Sequence, residues 1–441
     1  MNQNDIIVIA VDGLGASALG AYGNTWFETP CLDELACESV LAEWCFAPAT
    51  GLDAVYRSLW TAAHPLRLSP QQKQGLNPSH VEPEGLPQLF ANRQFHTTLL
   101  SDDAALKQYP GTQGFAETAW LSPAAAKHTN DPAETHFAHM FARASELLAE
   151  HKLHGDPHAD RNESQKHFLW IHLRGMTGPW DAPLAWRHAL CDDDDPLPYD
   201  GTIPPCEELN RENPDEVFRF ACAHASQVQL LDTCLGAFCD SLRPQSNQKG
   251  ETAPLLVIVG TRGFPLGEHG CLGHIRPQLF TENVHLPLLI RFPDKTGQLQ
   301  RIDSLVETGD IMPTLLDWVA PSTTKPACTD GLSLLPLVRG NPTAWRDHTV
   351  SISEGGLRAI RSPGWCLQET PTEVENTNNG SPTGQLFLRP DDYHEMNDIA
   401  DLRGDVVEGL AEAIRRFEKA CQQNGPIDQA QLDPALHERA D

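Results

Sequence analysis

The chain has 441 residues, 60 of them Asp or Glu against 32 Lys or Arg, for a formal charge of −28 at pH 7. Such an acidic chain repels nucleic acid and anionic membranes, which excludes both as expected partners, and an anionic ligand would need a local positive site. The length exceeds the roughly 250–300 residues at which one core stops growing, so two domains are expected.

The N-terminal residues Met1 to Asp5 contain no basic region, and no apolar run is long enough for a signal peptide or a membrane span. The 12 cysteines show no paired spacing. Both features predict a cytoplasmic protein with reduced thiols.

Ile6 to Val11 is a continuous β-branched and apolar run, predicting a buried parallel strand with Asp12 at its carboxyl end. Val40 to Pro65 reads as an Ala47-Pro48 turn, then a helix from Gly51 onward. Further strands are predicted at Phe95–Leu100, Phe168–Leu173, Leu255–Val259 and His285–Ile290, with helices at Asp131–Leu153 and Pro214–Leu242 between them. Strands alternating with helices predict a doubly wound α/β fold, in which ligands bind beyond the carboxyl ends of the strands. Asp12, Asp102, Arg174 and Thr261 should then face one crevice. His154–Lys166 and Leu190–Asn213 read as surface loops. Pro/Thr/Ser-rich residues 320–328 suggest a boundary, giving domains 1–320 and 321–441. The second domain is predicted as a small antiparallel sheet (Thr349–Ser353, Arg358–Ile360, Gln385–Leu388) covered by a helix over Asp405–Asn424.

The order of phrases along the chain resembles that of a sulfatase, in the alkaline phosphatase superfamily. The resemblance rests on Asp12-Gly-Leu, Ala18-Leu-Gly-Ala-Tyr-Gly23, Thr29-Pro-Cys-Leu-Asp33, Leu266-Gly-Glu-His-Gly270, Gly309-Asp-Ile-Met-Pro313 and Asn397-Asp-Ile-Ala400. It implies an alkaline-phosphatase-like fold with a large, mostly parallel sheet. It also implies sulfuric ester hydrolysis by a nucleophile assisted by a divalent cation, calcium or magnesium, in an oxygen-rich cage.

Carried over residue by residue, the resemblance also shows what is missing. The nucleophile, a Cys or Ser that becomes formylglycine, falls on Leu52, and the Arg that steadies it falls on Tyr56. The first metal-binding pair, Asp-Asp, is Asp12-Gly13. The second, Asp-His, is Thr261-Arg262, which sets a guanidinium where a dication should sit. The catalytic His falls on Thr177, and His274 or Arg276 occupies the region of the sulfate-contacting Lys. These losses predict a pseudoenzyme that binds or scaffolds, with no cofactor. Asp12 is the single remaining metal ligand, and Arg262, Arg174, His274 and Arg276 form a positive pocket for a small anion. The alternative is an active hydrolase with a displaced nucleophile such as Thr50, which would need calcium or magnesium.

Other clusters carry weaker signals. His151, His154, His158 and His167 with Asp156 and Asp160 match no established metal spacing and read as a solvated loop. His269-x-Cys271-x-x-His274 is suggestive of zinc only, and Asp192–Asp195 lacks the calcium-loop pattern.

Overall fold

A computed structural model of the protein describes residues 4–67, 84–123, 127–154, 165–209, 213–244, 253–274, 276–320, 329–341, 345–369, 384–423, 425, 427 and 431–437. The chain forms two compact units, Met1–Ala42 with Gly85–Ile275 and Leu286–Ile302, and Glu43–Glu84 with Arg276–His285 and Asp303–Asp441.

The first unit is built on strands β1 (Ile6–Asp12), β2 (Val40–Phe46, entering by its first residues), β3 (Phe95–Ser101), β4 (Glu117–Trp120), β5 (Lys166–Leu173), β6 (Leu255–Arg262) and β7 (Leu288–Arg291). Their order is β2-β7-β6-β1-β5-β3-β4. β6, β1, β5, β3 and β4 run parallel, and β7 is antiparallel to both β6 and β2. β1 lies between β6 and β5, paired on both edges, and Ile6 to Val11 are at most 1% exposed, as a strand covered on both faces requires. One face is covered by helices Pro30–Glu38, His136–His154 and Pro214–Ser241, which bring Leu32, Leu35, Met140, Phe141, Val228 and Leu231 against Ile7, Ile9 and Val11.

The predicted strand at His285–Ile290 is present but interrupted at Pro287, which has no N–H to give a ladder: His285–Leu286 is a short strand, and the ladder with β6 starts at Leu288. Two strands carried no clear sequence signal. In β2, Glu43 and Trp44 interrupt an otherwise buried run. β4 lies at the edge of the sheet, and its Glu117 and Thr118 are exposed.

The second unit holds strands β8 (Thr349–Ile352), β9 (Arg358–Arg361), β10 (Trp365–Glu369) and β11 (Gly384–Leu388), antiparallel in that order. Helix Gly404–Gln422 lays Val406, Leu410, Ile414 and Phe417 on Val350, Ile360, Trp365 and Leu367. β10 completes the predicted sheet. Also in this unit, helix Leu52–Thr61 packs on Ile311–Val319, and strand β8 is tied to the preceding turn by Thr50 N–H to Ile352 O (3.2 Å) and Ile352 N–H to Pro48 O (2.9 Å). The compact units therefore cut across the linear division at 320/321. Residues 321–328, read as a boundary, lie outside the described residues.

Candidate functional site

Asp12 ends β1 fully buried. A register shift between Val11 and Asp12 pairs Asp12 with Arg262 at the end of β6. The backbone then turns sharply. Gly13 has φ +76°, and a Cβ there would lie 2.8 Å from Met176 Cβ. Gly175, at φ +53°, comes so close to β1 that its Cβ would lie 2.1 Å from Asp12 O. Only glycine fits either position.

Four donors converge on the Asp12 carboxylate. Arg262 Nε donates to Oδ1 (2.9 Å) and Nη2 to Oδ2 (2.5 Å), Thr261 Oγ1 donates to Oδ1 (2.8 Å), and Thr177 Oγ1 shares its one proton between Oδ2 (3.0 Å) and Arg174 O (2.8 Å). Burial alone raises the carboxyl, but the charge and hydrogen bond of Arg262, with smaller help from His274 and His172, outweigh it and hold Asp12 well below the usual carboxylate range. The carboxylate is thus ionised and its lone pairs are taken.

Around this pair, Asp102 accepts from Arg174 N–H at Oδ1 (2.8 Å) and bonds His136 Nε2 at Oδ2 (2.9 Å). Asp103 accepts Ala105 N–H (2.8 Å), and its Oδ2 lies 3.7 Å from His172 Nε2. Arg174 Nη2 donates to Thr177 O (2.8 Å), closing the turn that presents Thr177 to Asp12. His274 has its Nε2 buried with no partner. Burial first, then the charge of Arg262, pushes its imidazole down to about 4, so it is neutral at pH 7.

The structure therefore brings Asp12, Arg262, Arg174 and His274 together within the first unit, with Thr261, Thr177 and Asp102. Leu52, Thr50 and Arg276 belong to the second unit. Leu52 is the first residue of helix Leu52–Thr61, behind an extended Gly51, and Asp53 lies in its first turn. Tyr56 is fully buried with its ring 4.7 Å from Trp60, a core residue. Arg276 is exposed. Glu268 accepts Leu266 N–H (2.7 Å), a turn-building role.

Of the four basic groups read as a positive pocket, Arg262 is neutralised by Asp12 and His274 is neutral, which leaves Arg174 as the cation of the first-unit cradle. His136 went unnoticed in the sequence because a lone His at a helix start carries no motif. Thr177 was read only as the place of a missing His, yet it is a donor to Asp12.

A divalent cation does not fit this arrangement. Arg262 covers both oxygens of Asp12, and the position of a second carboxylate is Gly13, where a side chain would meet Met176. Among the described residues, no group of three or more His, Cys, Asp or Glu side chains is arranged to hold a metal ion.

A family model described as Sulfatase matches residues 4–321. A curated relative, the multifunctional alkaline phosphatase superfamily protein PehA of Trinickia caryophylli, is 31% identical over 136 residues, which make up 30% of this chain and 24% of the relative, so the match spans about a quarter of that protein. Among solved structures, the chain resembles a phosphonate monoester hydrolase of Agrobacterium radiobacter (TM-score 0.70, 17% identity, 95% of this chain and 96% of that one). It also resembles the phosphonate monoester hydrolase SpPMH from Silicibacter pomeroyi (0.72, 17%, 95% and 96%) and a 2-O GAG sulfatase (0.68, 15%, 100% and 98%). At these identities the likeness concerns the fold, which is the mixed, mostly parallel sheet with a small antiparallel sheet described above.

Proposed function

Since the chain belongs to the sulfatase family, we propose that it is a non-catalytic member of it, a binding or scaffolding protein in which an arginine takes the place of the metal. The observation that carries this reading is the Asp12 carboxylate, saturated by Arg262, Thr261 and Thr177. A hard dication needs several oxygen ligands with open lone pairs, and here the one retained acid is engaged. Leu52, at the place of the nucleophile, supplies neither an attacking oxygen nor sulfur. The ligand proposed for the cradle is a small anion met by Arg174, with modest affinity because the other basic groups add no net charge.

The test joins metal analysis of the purified full chain to turnover assays on aryl sulfates and on phosphate mono- and diesters. The expected result is no stoichiometric calcium or magnesium and no turnover above that of Asp12→Asn. Stoichiometric calcium or magnesium, together with turnover that disappears in Thr50→Ala, would replace this reading with a hydrolase using a displaced nucleophile.

A further inference from the structure

Two thiols that stand 31 residues apart in the sequence touch in the first unit. Cys191 follows helix Leu184–His188, at the head of the acidic stretch Asp192–Asp195, and is half-buried. Cys222 lies within helix Pro214–Ser241 and is fully buried. Their sulfurs are 3.6 Å apart, and both are free thiols.

The chain on either side of this contact is held by bonds that do not involve sulfur. Arg187, 0% exposed, donates through Nη1 to Tyr199 O (2.6 Å) and Gly201 O (2.9 Å) and through Nη2 to Trp180 O (2.6 Å). Arg219 Nε donates to Leu197 O (2.8 Å) and Tyr199 N–H to Arg219 O (3.0 Å), which lays the segment beyond Cys191 along the helix that carries Cys222. Cys191 N–H donates to His188 O (3.2 Å), ending the turn on which its side chain stands. Elements fixed independently thus present the two sulfurs to each other. A disulfide bond of about 2.05 Å needs them to close by about 1.5 Å, which small rotations of two side chains supply. The thiol hydrogen bond consumed in closing is replaced by the covalent bond.

The two sulfurs differ in role. Cys191 Sγ shares its one proton between Arg187 O (3.5 Å) and Cys222 Sγ (3.6 Å), so a lone pair of Cys222 faces the Cys191 sulfur. Burial first, then the hydrogen bond with Cys191, push the Cys222 thiol up to about 12. It stays protonated and leaves the first attack on an oxidant to Cys191, which reaches solvent.

We propose that Cys191 and Cys222 are an oxidisable pair in which a hydroperoxide closes a disulfide, tying the head of the acidic stretch to helix Pro214–Ser241. In the first step the Cys191 sulfur attacks one peroxide oxygen: an S–O bond forms, the O–O bond breaks, and the other oxygen leaves as water or alcohol with the proton released by the thiol. In the second, the Cys222 sulfur attacks the sulfenic acid on Cys191: the S–S bond forms, the S–O bond breaks, and the departing hydroxide takes the Cys222 proton to become water. The thiols together lose two electrons, and the peroxide gains them. The cross-link closes a loop of about 30 residues, restricting the unfolded chain and so stabilising the folded one. This role is independent of the Asp12 cradle.

The experiment treats reduced full-length protein with hydrogen peroxide, quenches with an alkylating reagent and maps the peptides without reduction. Cys37 and Cys206, both exposed, serve as internal references. The expected result is a linked peptide joining Cys191 to Cys222, and a rise in melting temperature that a reducing agent reverses. In Cys222→Ser the reaction should stop at a sulfenic acid on Cys191, trapped by dimedone, with no such rise; in Cys191→Ser, Cys222 should stay reduced. Three results in the wild-type protein would each overturn the proposal. These are oxidation of Cys37 and Cys206 with Cys191 and Cys222 still reduced, sulfinic acid on Cys191 beside a free Cys222, and a disulfide joining Cys191 to any other cysteine.

Discussion

Arg262 and Asp12 form a two-point ion pair at the end of the central strand, with Asp12 only 1% and Arg262 17% side-chain exposed. A guanidinium fork matches a carboxylate in plane, so the pair joins countercharge to a fixed geometry. Two threonine hydroxyls complete the shell.

Removing one partner strands the other. Arg262→Leu should destabilise the protein by about 3–5 kcal/mol, since it leaves a buried carboxylate without its countercharge. Asp12→Asn combined with Arg262→Leu should lose much less than the sum of the two single changes. Urea unfolding of the four proteins in the cycle measures the coupling, and strict additivity would show that the pair is not coupled.

A second buried acid gives a pH signature. Glu307 is raised from 4.5 to about 7, first by burial and then by Asp310 and Asp330, against the opposing charge of Arg346, which pairs with Asp310 (2.6 Å). Between pH 4.5 and 7 the folded protein holds a proton that the unfolded chain has released, so the contribution of Glu307 falls as pH rises through that window and stays at its lowest above it. Glu307→Gln keeps an acceptor for the turn at Thr308–Asp310 and cannot ionise. Its stability relative to wild type should climb by on the order of 2 kcal/mol between pH 5 and 8, read by chemical denaturation at each pH. A pH-independent difference would show that Glu307 is ionised throughout.

Leu52→Cys should leave sulfate ester turnover at background, even when coexpressed with a formylglycine-generating enzyme. On the proposed reading the new thiol has no cation to activate it, because Arg262 occupies both oxygens of Asp12. Turnover in this single variant would show that the protein assembles a metal cage around a different set of residues.

Sulfate at low millimolar concentration should raise the melting temperature of wild type along a saturating curve, and Arg174→Gln should abolish that part of the rise. The general stabilisation that sulfate gives any protein is unsaturable and common to both chains. Identical curves would remove Arg174 from anion binding.

Features encoded locally were legible in the sequence. The run Ile6–Val11 and the place of Asp12 follow from apolar patterning, and the family resemblance set Arg262 where a dication would sit. Features that depend on strand pairing were not legible. β4 and β10 lack a strong pattern of their own. His96 meets His151 and His167 only because β3 lies beside β5, while Asp156, His158 and Asp160 of the cluster read there lie outside the described residues. Thr177 becomes a donor to Asp12 because Gly175 lets the chain approach β1 within backbone contact. The division into units was likewise hidden, since helix Leu52–Thr61 packs on helix Ile311–Val319 and the turn before it bonds strand β8, through contacts that no local pattern records.

The two glycines flanking Asp12 also limit what this chain can become. A carboxylate at position 13 would have to displace Met176 and adopt a backbone conformation that side chains resist, before Arg262 had yielded its place to any ligand. Each single change toward a cation cage would therefore lower stability before it could hold a metal. Building one here would take several simultaneous substitutions, so the sequence around Asp12 can vary more easily than it can acquire such a cage.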